Sequence, residues 1–201
     1  LNSFYEKKEL PKSQFPNLTL YPNQFLLLKD SLGSSSSAIG MVDQSGLTIK
    51  KLVFDHDHIW GIRSRNVQQT MAIELLLRKD IPLVTLIGKA GTGKTLLALA
   101  SGLMQTEDYG DYKKLLVARP IVPVGKDIGF LPGEKEEKLR PWMQPIYDNL
   151  EYLFNVKKPG ELDAILAGMG SIEVEALTYI RGRSIPDQFI IIDEAQNLTK
   201  H

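Results

Sequence analysis

Apolar and polar positions change their rhythm once along this chain, near residue 62. Before that point, NLTLYPNQFLLLKD and AIGMVDQSGLTIKKLVF hold short alternating runs. They are broken by Pro22-Asn23, by Ser34–Ser37 and by Gln44-Ser45-Gly46. Alternation between turn residues predicts a few strands joined by hairpins, and the serine run predicts an exposed loop. Residues 1–62 are therefore expected to be a small β-rich segment. It is too short for an independent core and is expected to dock on the remainder of the chain.

From residue 63 to 201 the pattern alternates between helix and strand. NVQQTMAIELLLRKD carries apolar residues at 67, 71, 73, 75, 76 and 77, the spacing of an amphipathic helix. PLVTLIG is a short continuous apolar run, as in a buried parallel strand. TLLALASGLM is apolar nearly all round and predicts a buried helix. KLLVARP, VEALTYIRG and the FIII of DQFIIIDEAQ predict three more strands. Strands separated by helices imply βαβ units, and so an α/β fold with a mostly parallel sheet flanked by helices.

The stretch between Arg119 and Phe154 interrupts this alternation. It holds prolines at 120, 123, 132, 141 and 145. Gly125 and Gly129 bracket Lys126-Asp127, which fits a hairpin-like loop. The acids Glu134, Glu136 and Glu137 suit a helix N-terminus. Pro141 and Pro145 are expected to kink or segment any helix there. A long insertion is thus expected to leave the sheet after its second strand.

Composition narrows the function classes. Lys plus Arg and Asp plus Glu are 24 each, so the chain has no net charge and no whole-surface basic field for nucleic acid. Without cysteine, thiolate metal sites, disulfides and Cys nucleophiles are excluded. No run of about 18 apolar residues suggests a membrane span. LNSFYEKKELPK has no signal-peptide pattern, so a cytoplasmic location and no membrane partner are expected.

The candidate chemistry begins at Gly88-Lys89-Ala90-Gly91-Thr92-Gly93-Lys94-Thr95, which matches G-x-x-x-x-G-K-[ST] between a predicted strand and a predicted helix. Glycines let the backbone curl so that successive N–H groups face phosphate oxygens, and the helix adds its positive end. Lys94 supplies a point charge for the β- and γ-phosphates, and Thr95 a hydroxyl for Mg²⁺. At the carboxyl end of the Phe189–Ile192 run, where open α/β sheets bind ligands, stand Asp193 and Glu194. Asp193 is expected to hold Mg²⁺ through water. Glu194 is expected to orient or deprotonate the water that attacks the γ-phosphate. The bland alternative is that both acids cap the next helix.

Other groups are less specific. A Gln amide donates and accepts, so Gln69 can pair with adenine, but a Gln on a helix is usually just solvated. Arg181-Gly182-Arg183 follows a predicted strand and suits either phosphate contacts or a solvated turn. Lys126, Lys135 and Lys138 with Trp142 offer a basic, stacking surface that Glu134, Glu136 and Glu137 weaken. Asp55-His56-Asp57-His58 invites a metal reading, but adjacent side chains on a strand diverge, the third His stands far off at 201 and there is no Cys. An exposed turn is expected there.

Taken together, IWGIRSRNVQQ, VTLIGKAGTGKTLLALA, ARPIVPVGKDIGFLPGEKEEKL, PWMQPIYDNL and IIDEAQNLT resemble the PhoH family of P-loop ATPases, which is similar to superfamily-one helicases. The resemblance implies a RecA/helicase-like fold and hydrolysis of ATP with Mg²⁺. In some members it also implies RNA binding or unwinding. It implies that Gln69 reads adenine. It also implies that Arg119 and the loop to Gly133, Lys126 included, face nucleic acid or a neighbouring subunit. A homo-oligomer, with a ring as one form, is expected, because related ATPases complete their sites with a neighbour's arginine. The family's domain continues past DEAQNLT, so the chain is expected to be a piece of a longer protein. Residues 1–62 resemble the linker of members that carry a PIN-type nuclease. The leading expectation is an ATPase coupled to single-stranded RNA. The alternatives are an ATP-loaded switch or oligomer scaffold with little turnover and, less suited to the Asp193-Glu194 pair, a small-molecule kinase.

Overall fold

The computed structural model describes residues 1–30, 36–121 and 135–198, with the backbone alone at 135–138. The chain divides into two compact units, residues 1–55 and 56–201.

The first unit is an antiparallel sheet. Its strands are β1 (Glu9–Pro11), β2 (Phe25–Lys29), β3 (Ser37–Val42) and β4 (Thr48–Lys51), in the order β1-β4-β3-β2. Between β3 and β4, Asp43 accepts from Ser45 Oγ at 2.7 Å and from the Thr48 N–H at 3.3 Å. These bonds hold the Asp43 carboxyl below the usual carboxylate range, the Ser45 bond most of all. A short helix, α1 (Asn2–Lys7), precedes the sheet. The expectation of no independent core is corrected: Phe4, Leu10, Leu20, Val42 and Ile49 form a buried cluster. One helical turn supplies Phe4, which is fully buried. Of the serine run, Ser34 and Ser35 lie outside the described residues.

The second unit carries the parallel strands β5 (Lys114–Arg119), β6 (Ile172–Ala176) and β7 (Gln188–Ile192), in the order β6-β5-β7. Leu115, Leu116, Val117 and Ala118 of the central strand are fully buried. Helices α2 (Val67–Leu76) and α3 (Lys94–Leu103) form where the periodicity predicts them. Gln105, buried beyond the end of α3, ties these helices together by donating its amide to the Leu76 carbonyl. Helix α5 (Glu161–Met169) precedes β6.

Three expectations change. The strand predicted in VEALTYIRG lies earlier, at Ile172–Ala176, and Leu177–Tyr179 form a 3₁₀ turn. Helix α4 (Lys135–Leu153) runs unbroken through Pro141 and Pro145. Both prolines are exposed, so water can reach carbonyls that lack a helical donor, while Met143, Ile146 and Leu150 face inward. The Asn149 amide also bonds the Pro145 carbonyl, at 2.6 Å. Finally, PLVTLIG takes no regular secondary structure and joins no ladder among the described residues, and Leu83 and Ile87 are 81% and 92% exposed. An apolar run becomes a strand only when a neighbouring backbone takes its N–H and C=O groups. The hairpin-like loop expected around Gly125–Gly129 and the acidic helix start at Glu134 lie outside the described residues.

Candidate functional site: a phosphate loop facing an acid pair

The loop 88–95 connects the apolar run 82–87 to α3. Gly91 (φ 74°) and Gly93 (φ 85°) take left-handed backbone that side chains disfavour, and this turns the chain sharply into the helix. No side chain caps the N-terminus of α3, so its first-turn N–H donors remain available to an anion. Lys94 folds back over the loop, and its Nζ donates to the carbonyls of Gly88 and Lys89, both at 2.9 Å. Thr92 Oγ1 also donates to the Lys89 carbonyl, at 2.9 Å. Lys89, Ala90 and Gly91 form the exposed crest. The arrangement is a curled backbone around one ammonium group, suited to a polyphosphate.

The acids come from the sheet. The Asp193 N–H donates to the Ala118 carbonyl at 2.9 Å, which extends the β5–β7 ladder by one bond and fixes Asp193 at the carboxyl end. Thr95 Oγ1 donates to Asp193 Oδ1 at 2.9 Å, across 98 residues of sequence. Two hard oxygens therefore stand side by side, the donor set that suits a magnesium ion already holding phosphate oxygens. Glu194 follows in left-handed backbone (φ 53°), and its carboxylate accepts from the Gln196 amide.

Arg119, the last residue of β5, lies against this pair. Its NH1 is 3.7 Å from Asp193 Oδ2 and its NH2 is 4.0 Å from Glu194 Oε1. NH1 is buried and has no hydrogen-bond partner among the described residues. A buried orphan donor beside a phosphate loop is what a site built for further oxygen ligands leaves open.

Gln69 reaches the same loop. Asn66 caps α2 by accepting from the Gln69 N–H at 2.9 Å. The Gln69 side chain accepts from the Arg65 N–H at 2.8 Å and donates to the Thr92 carbonyl at 3.2 Å. A Cβ on Gly93 would stand 3.4 Å from its Nε2. Both ends of the amide are thus engaged by protein, and pairing with a base requires those two bonds to open.

The remaining candidates are Arg181, Arg183 and Lys126. Arg181 is exposed. Arg183 makes a two-pronged contact with Glu173 of β6, its NH2 at 3.2 Å, and that hydrogen bonding pushes its pKa up. Lys126 lies outside the described residues.

One polar cluster has no counterpart among the sequence expectations. His56 is half-buried, not part of a fully exposed turn, and its Nε2 is 2.9 Å from Glu74 Oε2. Glu74 is fully buried in α2, with Arg78 NH1 3.7 Å from its other oxygen. Arg78 in turn grips Asp80, whose hydrogen bonds raise the guanidinium pKa. A signal for it exists: a Glu set between apolar neighbours on a helix must find partners.

Comparison with known proteins agrees with this geometry. The family model for PhoH-like protein matches residues 61–201. Protein PhoH2 of Bacillus subtilis (strain 168) is 76% identical over 200 residues, which cover 100% of this chain and 45% of that protein. Protein PhoH2 of Mycolicibacterium smegmatis is 42% identical over 171 residues, 85% of this chain and 38% of that protein. A PhoH-like protein of B. subtilis is 38% identical over 139 residues, 69% of this chain and 41% of that protein. The chain thus spans less than half the length of these relatives. With its loop, its acid-tipped strand and this match, the chain belongs to the PhoH family of P-loop nucleotide-binding proteins.

Proposed function

We propose that this protein binds and hydrolyses ATP with Mg²⁺ on a RecA/helicase-like core, and couples the reaction to single-stranded RNA. The observation that carries the reading is the Thr95–Asp193 hydrogen bond, which joins the phosphate loop to the acid-tipped strand. The N–H groups of residues 88–95 bind the phosphates, and Lys94 leaves its two carbonyls to neutralise them. Thr95 and Asp193 hold Mg²⁺, which when bound neutralises charge developing on the phosphates. Glu194 orients the attacking water and accepts its proton. Gln69 reads the base. Arg181, Arg183 and Lys126 contact RNA or a neighbouring subunit in a homo-oligomer. The setting is the cytoplasm; among the described residues no helix is long and apolar enough to cross a membrane.

The test is ATP turnover of the intact protein with and without single-stranded RNA. RNA is expected to stimulate turnover. Lys94→Ala removes charge-assisted bonds and is expected to weaken nucleotide binding about ten- to a hundredfold. Glu194→Gln is expected to lower kcat by about 10²–10⁴-fold while nucleotide affinity holds. Full turnover in both variants sinks the reading. ATP-dependent assembly without RNA stimulation favours the nucleotide-loaded switch.

A further inference from the structure

We propose that Arg119 is a built-in counter-ion of the Asp193–Glu194 pair, a positioning residue that lets the loop accept a polyphosphate before any metal neutralises the acids. The inference rests on the nucleotide reading above and assigns this arginine a role inside the site. Two carboxylates on consecutive residues, one of them only 13% exposed, repel each other and any incoming phosphate. Arg119 reaches both from the neighbouring strand, and β5–β7 pairing fixes its distance to them. At 3.7 and 4.0 Å both contacts are longer than hydrogen bonds, so the guanidinium meets the two acids through charge. Among the described residues NH1 stays buried without a hydrogen-bond partner, which is costly in a finished structure and useful in one awaiting an oxygen ligand. A guanidinium cannot lose its proton at any working pH, so the compensation is permanent.

The role predicts a difference between two media. Without metal, Arg119 is the acids' counter-charge. With Mg²⁺ present, the metal supplies that charge and Arg119 matters less. Binding of a fluorescent ATP analogue to the intact protein is measured in EDTA and in Mg²⁺. Arg119→Met is expected to lose about tenfold in affinity in EDTA and about twofold or less in Mg²⁺, the scale of one unit charge acting over ~4 Å in a partly wet site. Arg119→Lys is expected to restore most of the EDTA affinity. Equal losses in both media, alongside a lowered melting temperature, make Arg119 merely structural and overturn the proposal. Unchanged affinity in EDTA also overturns it. Lys94→Ala separates the two readings. If the wild type binds no better than Lys94→Ala in either medium, the nucleotide reading has failed. If the wild type binds, Lys94→Ala does not and Arg119→Met shows no difference between media, only the Arg119 role has failed.

Discussion

Two apolar runs in the second unit read alike in sequence and end differently in space. Leu115–Ala118 lie at the centre of the parallel sheet, fully buried and paired on both sides. Residues 82–87 are also largely apolar, yet join no ladder among the described residues and leave Leu83 and Ile87 in water. The difference lies in partners rather than propensity. β5 finds β6 and β7 across crossovers that contain α4 and α5. A parallel strand is a statement about distant chain, so local pattern sets its chemistry and other segments decide its state.

That contrast can be broken by substitution. Leu116→Ala removes a fully buried side chain that packs with Ala118 and Ile180, and is expected to cost about 2–5 kcal/mol in urea unfolding. Gly102 comes next. A Cβ there would stand 2.7 Å from Leu115 Cδ1 and 3.0 Å from Phe189 Cδ1, so Gly102→Ala is expected to cost about 1–3 kcal/mol through overpacking of α3 on the sheet. The smallest effect belongs to the unpaired run. In a chain of residues 1–201, Leu83→Ser is expected to change stability by about 0.5 kcal/mol or less. Amide hydrogens of residues 83–87 are expected to exchange quickly, while those of 115–118 exchange only on global unfolding. A Leu83 cost equal to that of Leu116 would mean the two runs are equivalent in solution.

Much of the site is legible in the residues themselves. The loop announces itself because its geometry needs Gly91 and Gly93 at fixed offsets from Lys94 and Thr95, and those demands are local. β7 and Asp193 are legible because a continuous apolar run stops abruptly at an acid. The contact of Arg119 with Asp193 is not. It depends on the pairing of Ala118 with Ile192, a register between segments far apart in sequence. The prolines of α4 mislead for the opposite reason. Each breaks a local rule, and their shared exposed face supplies the remedy. β6 lies nearer the N-terminus than expected because IEVEA and VEALTY alternate equally well, and only pairing with β5 chooses between them.

The unpaired run also bears on how the protein keeps company in solution. Among the described residues β7 is an edge strand, with Ile190 45% exposed, and residues 82–87 of the same unit join no ladder. Bare, apolar edges recruit one another between molecules. Concentrated solutions of residues 1–201 will therefore scatter light before they crystallise. A lysine at position 87 is the simplest gatekeeper, because it places charge where two ribbons would otherwise zip together.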